Sequence, residues 1–303
     1  MAKILLGCLV SLMAQQGIKA VKALLDFIYL AQYTSHNKET LDYMKNALEE
    51  FHDNKQYFIN IQCQEHLNLP KLHSLIHYVD SIELFGMTNN YNTEMFEHLH
   101  IDFAKHDEFP QMIRCILTIL DVPSLLSSNM FRFCPEALQD GEEEKDIVKA
   151  VPRSKGFPHG RFDTVIVLAT DEAESHGLTG TRIGRVKVIF SLPDKLPAPG
   201  QPISVPASWP KMPLAYVEWY TCQPPLANST HGMYQISKSK PDKDGRRPGE
   251  VIPLSSIRQS CMLFPVFREA PDEKYWKPSN VLDKAEKFLI NNWLSKYSYQ
   301  TLW

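Results

Sequence analysis

Apolar residues recur at helical spacing through the first 126 positions, and at every second position after residue 161. Between Gly17 and Ala31, the residues Ile18, Val21, Leu25 and Ile28 fall on one helical face. A second helix follows a polar turn. Asn37 suits its N-cap, and Leu41, Met44, Leu48 and Phe51 lie opposite Lys45, Glu49 and Glu50. A third starts near Pro70, a residue suited to a first helical turn, with Leu72, Leu75, Ile76 and Val79 as its apolar stripe. The turn-forming stretch Gly86–Asn92 leads to a fourth helix, Thr93–Lys105, capped by Asn92 or Thr93.

Residues 127–160 lose this periodicity. The acidic run Glu142-Glu143-Glu144 and then Pro152, Gly156, Pro158 and Gly160 predict a solvated linker. From Arg161 the period is two. Phe162–Ala169 is an apolar strand. In Arg185–Phe190, Val186, Val188 and Phe190 alternate with Arg185 and Lys187. In Ala215–Thr221, Ala215, Val217 and Trp219 alternate with Tyr216, Glu218 and Tyr220. Shorter strands are predicted at Gly232–Ser237, Val251–Leu254 and Ile257–Phe267, and a terminal helix at Asn280–Trp293.

Strands without intervening helices pack as an antiparallel barrel or sandwich. The predicted fold is therefore α+β. A helical region (1–126) and a linker (127–160) precede an antiparallel β-barrel-like domain with a terminal helix (161–303). Trp209, Trp219 and Trp276 would supply its aromatic core, and it should fold without residues 1–126.

Composition narrows the class. The 303 residues are 44% hydrophobic and 22% charged, which excludes a disordered chain or a rod. A net charge of −3 excludes a basic field over the whole chain. Residues 1–126 hold 9 Lys+Arg against 15 Asp+Glu and the rest hold 23 against 20, so a polyanion would meet the second part. Six cysteines without a CxxC read as reduced thiols. Met1-Ala2-Lys3 before Ile4–Ala14 imitates a short signal peptide. The pattern runs on into Ile18 and Val21, which favours a core helix. No window approaches the ~20 apolar residues of a membrane span, so no membrane partner is expected.

Candidate chemistry lies in two places. His73 and His77 stand four apart on one helix, and Glu94, Glu97, His98 and His100 sit on the next, with Glu94 and Glu97 on a shared face. Imidazole and carboxylate are metal ligands, but the H-x-x-x-H pair lacks the Glu of a metalloprotease helix. Phosphate-loop, nucleophile-elbow and dinucleotide motifs do not occur. The second place is a polar hairpin loop between the Gly232 and Val251 strands. There Lys238, Lys240, Lys243, Arg246 and Arg247 face only Asp242 and Asp244, beside Tyr234. Such a loop can steer a phosphate backbone.

Longer blocks carry a resemblance. They begin with Leu69-Pro70-Lys71-Leu72-His73-Ser74-Leu75-Ile76-His77-Tyr78-Val79, Leu84-Phe85-Gly86 and Asn90-Tyr91-Asn92-Thr93-Glu94. Glu97-His98-Leu99-His100-Ile101-Asp102-Phe103-Ala104-Lys105 comes next. In the second half follow Gly160-Arg161-Phe162-Asp163-Thr164-Val165, Arg185-Val186-Lys187-Val188-Ile189-Phe190, Leu214-Ala215-Tyr216-Val217-Glu218-Trp219-Tyr220, Gly232-Met233-Tyr234 and Ile252-Pro253-Leu254. In this order they resemble the Plavaka (KDZ-type) transposases of basidiomycete fungi, members of the CACTA superfamily.

The resemblance implies descent from a cut-and-paste DNA transposase with an RNase H-like core. In such enzymes three carboxylates hold two Mg²⁺ ions for in-line phosphoryl transfer. It makes Glu97, within Phe96-Glu97-His98-Leu99, the third acid, with Glu94 as the alternative. His73, His77, His98 and His100 become supporting residues. The matched region starts at the family's helical insertion, so the two catalytic Asp residues have no counterpart here. After Lys105 the chain passes at once into His106-Asp107-Glu108, where the family has a longer segment. One carboxylate does not hold two metals. The expectation is a transposase-derived remnant, inactive alone, with no cofactor of its own and weak or no DNA binding. Its compartment would be the nucleus, or else the cytoplasm. The alternatives are a repurposed protein- or nucleic-acid-binding module and a small metal-dependent hydrolase on the His/Glu cluster.

Overall fold

Among the described residues, the helical periodicity of the first stretch is realised as six α-helices, and the later part of the chain holds twelve strands. The computed structural model describes residues 2–63, 65–86, 88, 146–152, 160–170, 177–192, 195–196, 203–204, 207–222, 226–268 and 273–302. The chain divides into two units, Met1–Ser127 with Ser229–Gly232, and Ser128–Asn228 with Met233–Trp303. The predicted helix Thr93–Lys105 lies outside the described residues.

In the helical unit, α1 (Ala2–Leu9) buries Leu5, Leu6 and Leu9. It does not run on into α2 (Gln15–Leu30) as the pattern suggested. The chain turns between them, where the Leu12 and Met13 N–H groups both close on the Leu9 carbonyl. Ile18, Val21 and Leu25 of α2 are buried as expected, and Phe27, Tyr29 and Leu30 are buried as well. The cap of α3 (Lys38–Asn54) is a reciprocal box. The Thr40 N–H donates to Asn37 Oδ1 at 2.8 Å, and the Asn37 N–H donates to Thr40 Oγ1 at 2.9 Å. Caps of this kind stabilise a helix by about 0.5–2 kcal/mol. Met44, Leu48 and Phe51 form the buried face of α3, and Phe58 of α4 (Gln56–Asn60) is also buried.

The helix expected near Pro70 is interrupted. It divides into α5 (Pro70–Ser74), a 3-10 turn (Leu75–His77) and α6 (Tyr78–Phe85). The tighter turn shifts the helical face. Leu72, Val79 and Ile82 are buried, whereas Ile76, placed in the predicted stripe, is exposed.

The β unit is one antiparallel sheet in the order β10-β3-β4-β7-β8-β12-β11 with β9 added on β7. Its strands are β3 (Thr164–Leu168), β4 (Thr181–Phe190), β7 (Leu214–Cys222), β8 (Gln235–Lys238), β9 (Gly249–Pro253), β10 (Ile257–Cys261), β11 (Leu263–Pro265) and β12 (Lys287–Ile290). Strands β10 and β11 stand at opposite ends of that order, yet only Met262 separates them in sequence. One chain segment thus joins both ends, and the sheet is nearly closed into a barrel. Two small pairs accompany it, β1 (Ala150–Val151) with β2 (Arg161–Phe162), and β5 (Lys195–Leu196) with β6 (Ile203–Ser204).

Strand β3 is buried on both faces. Val165 and Val167 join a cluster with Val186, Val217, Trp219 and Ile252, while Ile166 joins a second with Ile236, Phe288, Ile290 and Leu302. In β7 the predicted alternation holds. Ala215, Val217 and Trp219 are buried, and Tyr216, Glu218 and Tyr220 are half-buried.

Several expectations are corrected. The linker predicted over 127–160 includes paired backbone near its end, because Ala150 and Val151 align with Phe162 and Arg161. Just before that pair, Asp146 accepts from Ser260 Oγ at 2.7 Å. Val188 is exposed although it shares the predicted face with buried Val186. A bulge at Lys187 adds one residue and reverses the alternation. The terminal helix is not Asn280–Trp293. That stretch holds a single helical turn, α7 (Val281–Lys284), and then β12, and the terminal helix is α8 (Lys296–Leu302). Of the three tryptophans expected in the core only Trp219 is buried; Trp209 and Trp276 are half-buried, and Trp293 is the fully buried one.

Candidate functional site

Strands β8 and β9 are not the two arms of a hairpin. Both run antiparallel to β7 and pair with successive stretches of it, β8 with Tyr220–Cys222 and β9 with Leu214–Glu218. The ten residues 239–248 are therefore an excursion between two segments that follow one another along β7. Its base is pinned by Arg247 Nη1, which donates to the Ser239 carbonyl at 2.7 Å, and by the Trp219 N–H, which donates to the Pro248 carbonyl at 2.9 Å.

The tip is fixed by Asp242. Its Oδ1 accepts from the N–H groups of Asp244 at 2.9 Å and Arg246 at 2.8 Å, and its own N–H donates to the Arg246 carbonyl at 2.7 Å. Gly245 completes the turn with φ +75°, a conformation that favours glycine. Asp242 thus serves as a backbone clamp, and its carboxylate is committed to N–H groups.

Register places the remaining groups on one face of the sheet, the face that carries Ile183 and Ile236 of the second cluster. Arg185 lies opposite Glu218, Tyr220 opposite Lys238, and Lys187 is the bulge residue beside them. Together with Arg246, Arg247 and Asp283 they line a cavity of about 440 Å³. Five cationic side chains (Arg185, Lys187, Lys238, Arg246, Arg247) face it against the carboxylates of Glu218 and Asp283.

Most of these cations are recessed and paired. Arg185 Nη1 meets Asp283 Oδ1 at 2.5 Å, and its side chain is 11% exposed. Lys187 lies 3.4 Å from Glu218. Lys238 donates to the Asp283 carbonyl at 2.5 Å and sits 3.6 Å from Glu286, with its side chain 6% exposed. Arg247 is 3.7 Å from the same Glu286. Burial lowers the Lys238 pKa below the ordinary lysine value, with the Glu286 charge opposing the shift. Burial pushes the Tyr220 hydroxyl up, so that it stays protonated. The Arg246 guanidinium is exposed and makes no ion pair or hydrogen bond among the described residues.

Of the five cations expected in this loop, Lys238, Arg246 and Arg247 reach the cavity, while Lys240 and Lys243 are exposed beyond it. Lys238 is the last residue of β8 and not part of a solvated loop. Arg185 and Lys187 were legible only as outward positions of a strand. Their approach to the loop depends on the order β4-β7-β8.

The His/Glu candidates present a different picture. The His73 and His77 rings meet edge to face at 5.2 Å between centroids, and both residues are exposed. Glu94, Glu97, His98 and His100 lie outside the described residues. Among the described residues no three His, Cys, Asp or Glu side chains are placed to hold a metal ion, so no Mg²⁺ site is derived from them. No helix of the described residues is long and apolar enough to cross a membrane.

Residues 139–239 match a family described as a domain of unknown function (DUF6830). The matched stretch contains Arg185, Lys187, Glu218, Tyr220 and Lys238 and ends before Arg246 and Arg247. No curated protein and no solved structure matches the chain.

Proposed function

We propose that the chain is a transposase-derived protein, inert as a nuclease by itself, whose β unit holds nucleic acid through its cationic face. The descent rests on the ordered sequence blocks that resemble the Plavaka enzymes. The inertness rests on ligand arithmetic, since Glu97 (or Glu94) is one acid where two-metal phosphoryl transfer uses three. The nucleic-acid role rests on one observation. Cations from β4, β8 and the 239–248 excursion face a single cavity in a chain whose net charge is −3.

This arrangement favours binding over chemistry. Arginine and lysine side chains neutralise phosphate oxygens without a nucleophile or a metal. Exposed Lys240, Lys243 and Arg246 are the groups a strand meets first, and the paired cations behind them add to the local positive potential. Sequence preference is not expected, because phosphates carry no base information.

The test is a titration of the full chain and of a variant with Lys238, Lys240, Lys243, Arg246 and Arg247 changed to Ser, using labelled DNA with Mg²⁺ present. Binding by the natural chain alone, with no nicked product, is the expected result. Equal binding by both proteins removes the loop from the function. Cleavage that disappears in Glu97→Gln overturns the inert reading, and cleavage lost in His73→Ala and His77→Ala favours a hydrolase instead.

A further inference from the structure

We propose that the cavity over β4, β7 and β8 takes the terminal phosphate of a nucleic-acid strand, a phosphomonoester, in preference to the internal diesters of its backbone. The proposal rests on the reading of the β unit as a nucleic-acid binder and names what its deepest part recognises.

Depth is the first reason. Lys238 and Arg185, at 6% and 11% side-chain exposure, lie behind the surface. A duplex backbone is convex and its phosphates are flanked by sugars on both sides, so it cannot bring a diester down to these groups. A phosphate at the end of a strand has a sugar on one side only and can enter.

Charge is the second. Five cations against Glu218 and Asp283 on the lining, and Glu286 beside Lys238 and Arg247, leave a positive balance of two. A phosphomonoester carries roughly −1.5 to −2 at neutral pH, against about −1 for a diester, and offers three oxygens instead of two. The two lining carboxylates are each engaged by a cation, Glu218 by Lys187 and Asp283 by Arg185, so their repulsion of an anion is blunted. Arg246 has no such engagement. Its planar guanidinium is available to grip two phosphate oxygens at once.

Size and walls are the third. A volume of about 440 Å³ lies within the range of pockets that hold one small ligand, roughly 300–1,000 Å³. Tyr216, on β7, offers aromatic surface to the terminal base or sugar, while Tyr220 beside it packs edge to face on Phe288 and gives the cavity a fixed wall. Lys240 and Lys243, outside the cavity, are placed for the following diesters.

The test measures fluorescence anisotropy of the full chain with short single-stranded oligonucleotides at near-physiological salt. The oligonucleotides are identical except for a phosphate or a hydroxyl at the unlabelled end, with 5′ and 3′ versions of each. A phosphoserine peptide, which presents the same dianion without a base, is the comparison ligand. At least one phosphorylated end is expected to bind about tenfold tighter than its hydroxyl counterpart, as a gained charge-assisted contact implies. That preference should vanish in Arg246→Ala, which leaves the backbone N–H to Asp242 in place, and persist in Lys240→Ala/Lys243→Ala. Equal binding of phosphate and hydroxyl ends overturns the end preference while the nucleic-acid reading stands. Binding of no oligonucleotide overturns both. Tighter binding of the peptide overturns the nucleic-acid strand as occupant.

Discussion

The Asp242 carboxylate accepts the backbone N–H of Arg246 at 2.8 Å, so an acid holds in place an exposed cation of the binding face. Simple charge counting treats Asp242 and Asp244 as equal opponents of an anionic ligand. Their geometry makes them opposites. Asp242→Ala should loosen the turn and weaken DNA binding severalfold although it removes a negative charge, whereas Asp244→Ala should leave binding unchanged or tighten it. Side-by-side titrations check this, and equal strengthening by both substitutions would contradict the clamp.

Burial of Lys238 gives binding a pH signature. Its pKa lies below the ordinary lysine value because of desolvation, with Glu286 and Asp283 raising it and Arg247 and Arg185 lowering it. As pH rises from neutrality, Lys238 should lose its charge below the ordinary lysine value, and affinity should begin to fall there. Lys238→Met should bind more weakly and show no such early decline. The sign for stability is the reverse. Between the lowered value and 10.5 the unfolded chain binds more protons than the folded one, so the penalty for burying Lys238 fades as pH rises through this window. Affinities measured across neutral to alkaline pH for both proteins decide the point.

Asp146 ties the segment before β1 to strand β10. It accepts from the Ser260 hydroxyl at 2.7 Å and from the Ser260 N–H, while Ala150–Val151 pairs with Arg161–Phe162. A fragment of residues 161–303 loses both contacts. It should unfold at lower urea than a fragment of residues 141–303, and Asp146→Ala in the longer fragment should cost about 1–3 kcal/mol, the cost of leaving its donors unpaired. Identical midpoints for the two fragments would show that 146–152 is not part of the folding unit.

Gly184 faces Trp219 across β4 and β7. A Cβ built there would lie 2.1 Å from Val217 Cγ1 and 2.9 Å from Trp219 Cε3, so the strand has no room for a side chain. Gly184→Ala should destabilise the barrel by about 1–3 kcal/mol through overpacking, read as a lower denaturation midpoint. A neutral substitution would mean that the Val217 and Trp219 side chains can move aside.

What the sequence revealed and what it hid have physical causes. Alternation in β7 was legible because one face is apolar and the other carries Tyr216, Glu218 and Tyr220. It failed in β4, where a one-residue bulge turns Val188 outward and leaves Lys187 beside the cavity, an event that no local pattern announces. The Asn280–Trp293 stretch has helical spacing, yet Phe288, Leu289 and Ile290 are recruited by β8 and β11, and tertiary pairing outweighs local propensity. The loop cations were visible as composition. Their partners Arg185 and Lys187 lie more than 50 positions earlier, and only the order of the strands brings them to the same cavity.

Nucleic-acid binding by this face is tested most directly by the salt dependence of DNA binding by the full chain, with log affinity plotted against log salt concentration. For three to five phosphate contacts, affinity should fall roughly 40- to 500-fold between 50 and 200 mM salt, and the slope should flatten by about one for each of Lys240, Lys243 and Arg246 replaced by Ser. A slope near zero, or one unchanged in the triple variant, would contradict the assignment of nucleic-acid binding to this face.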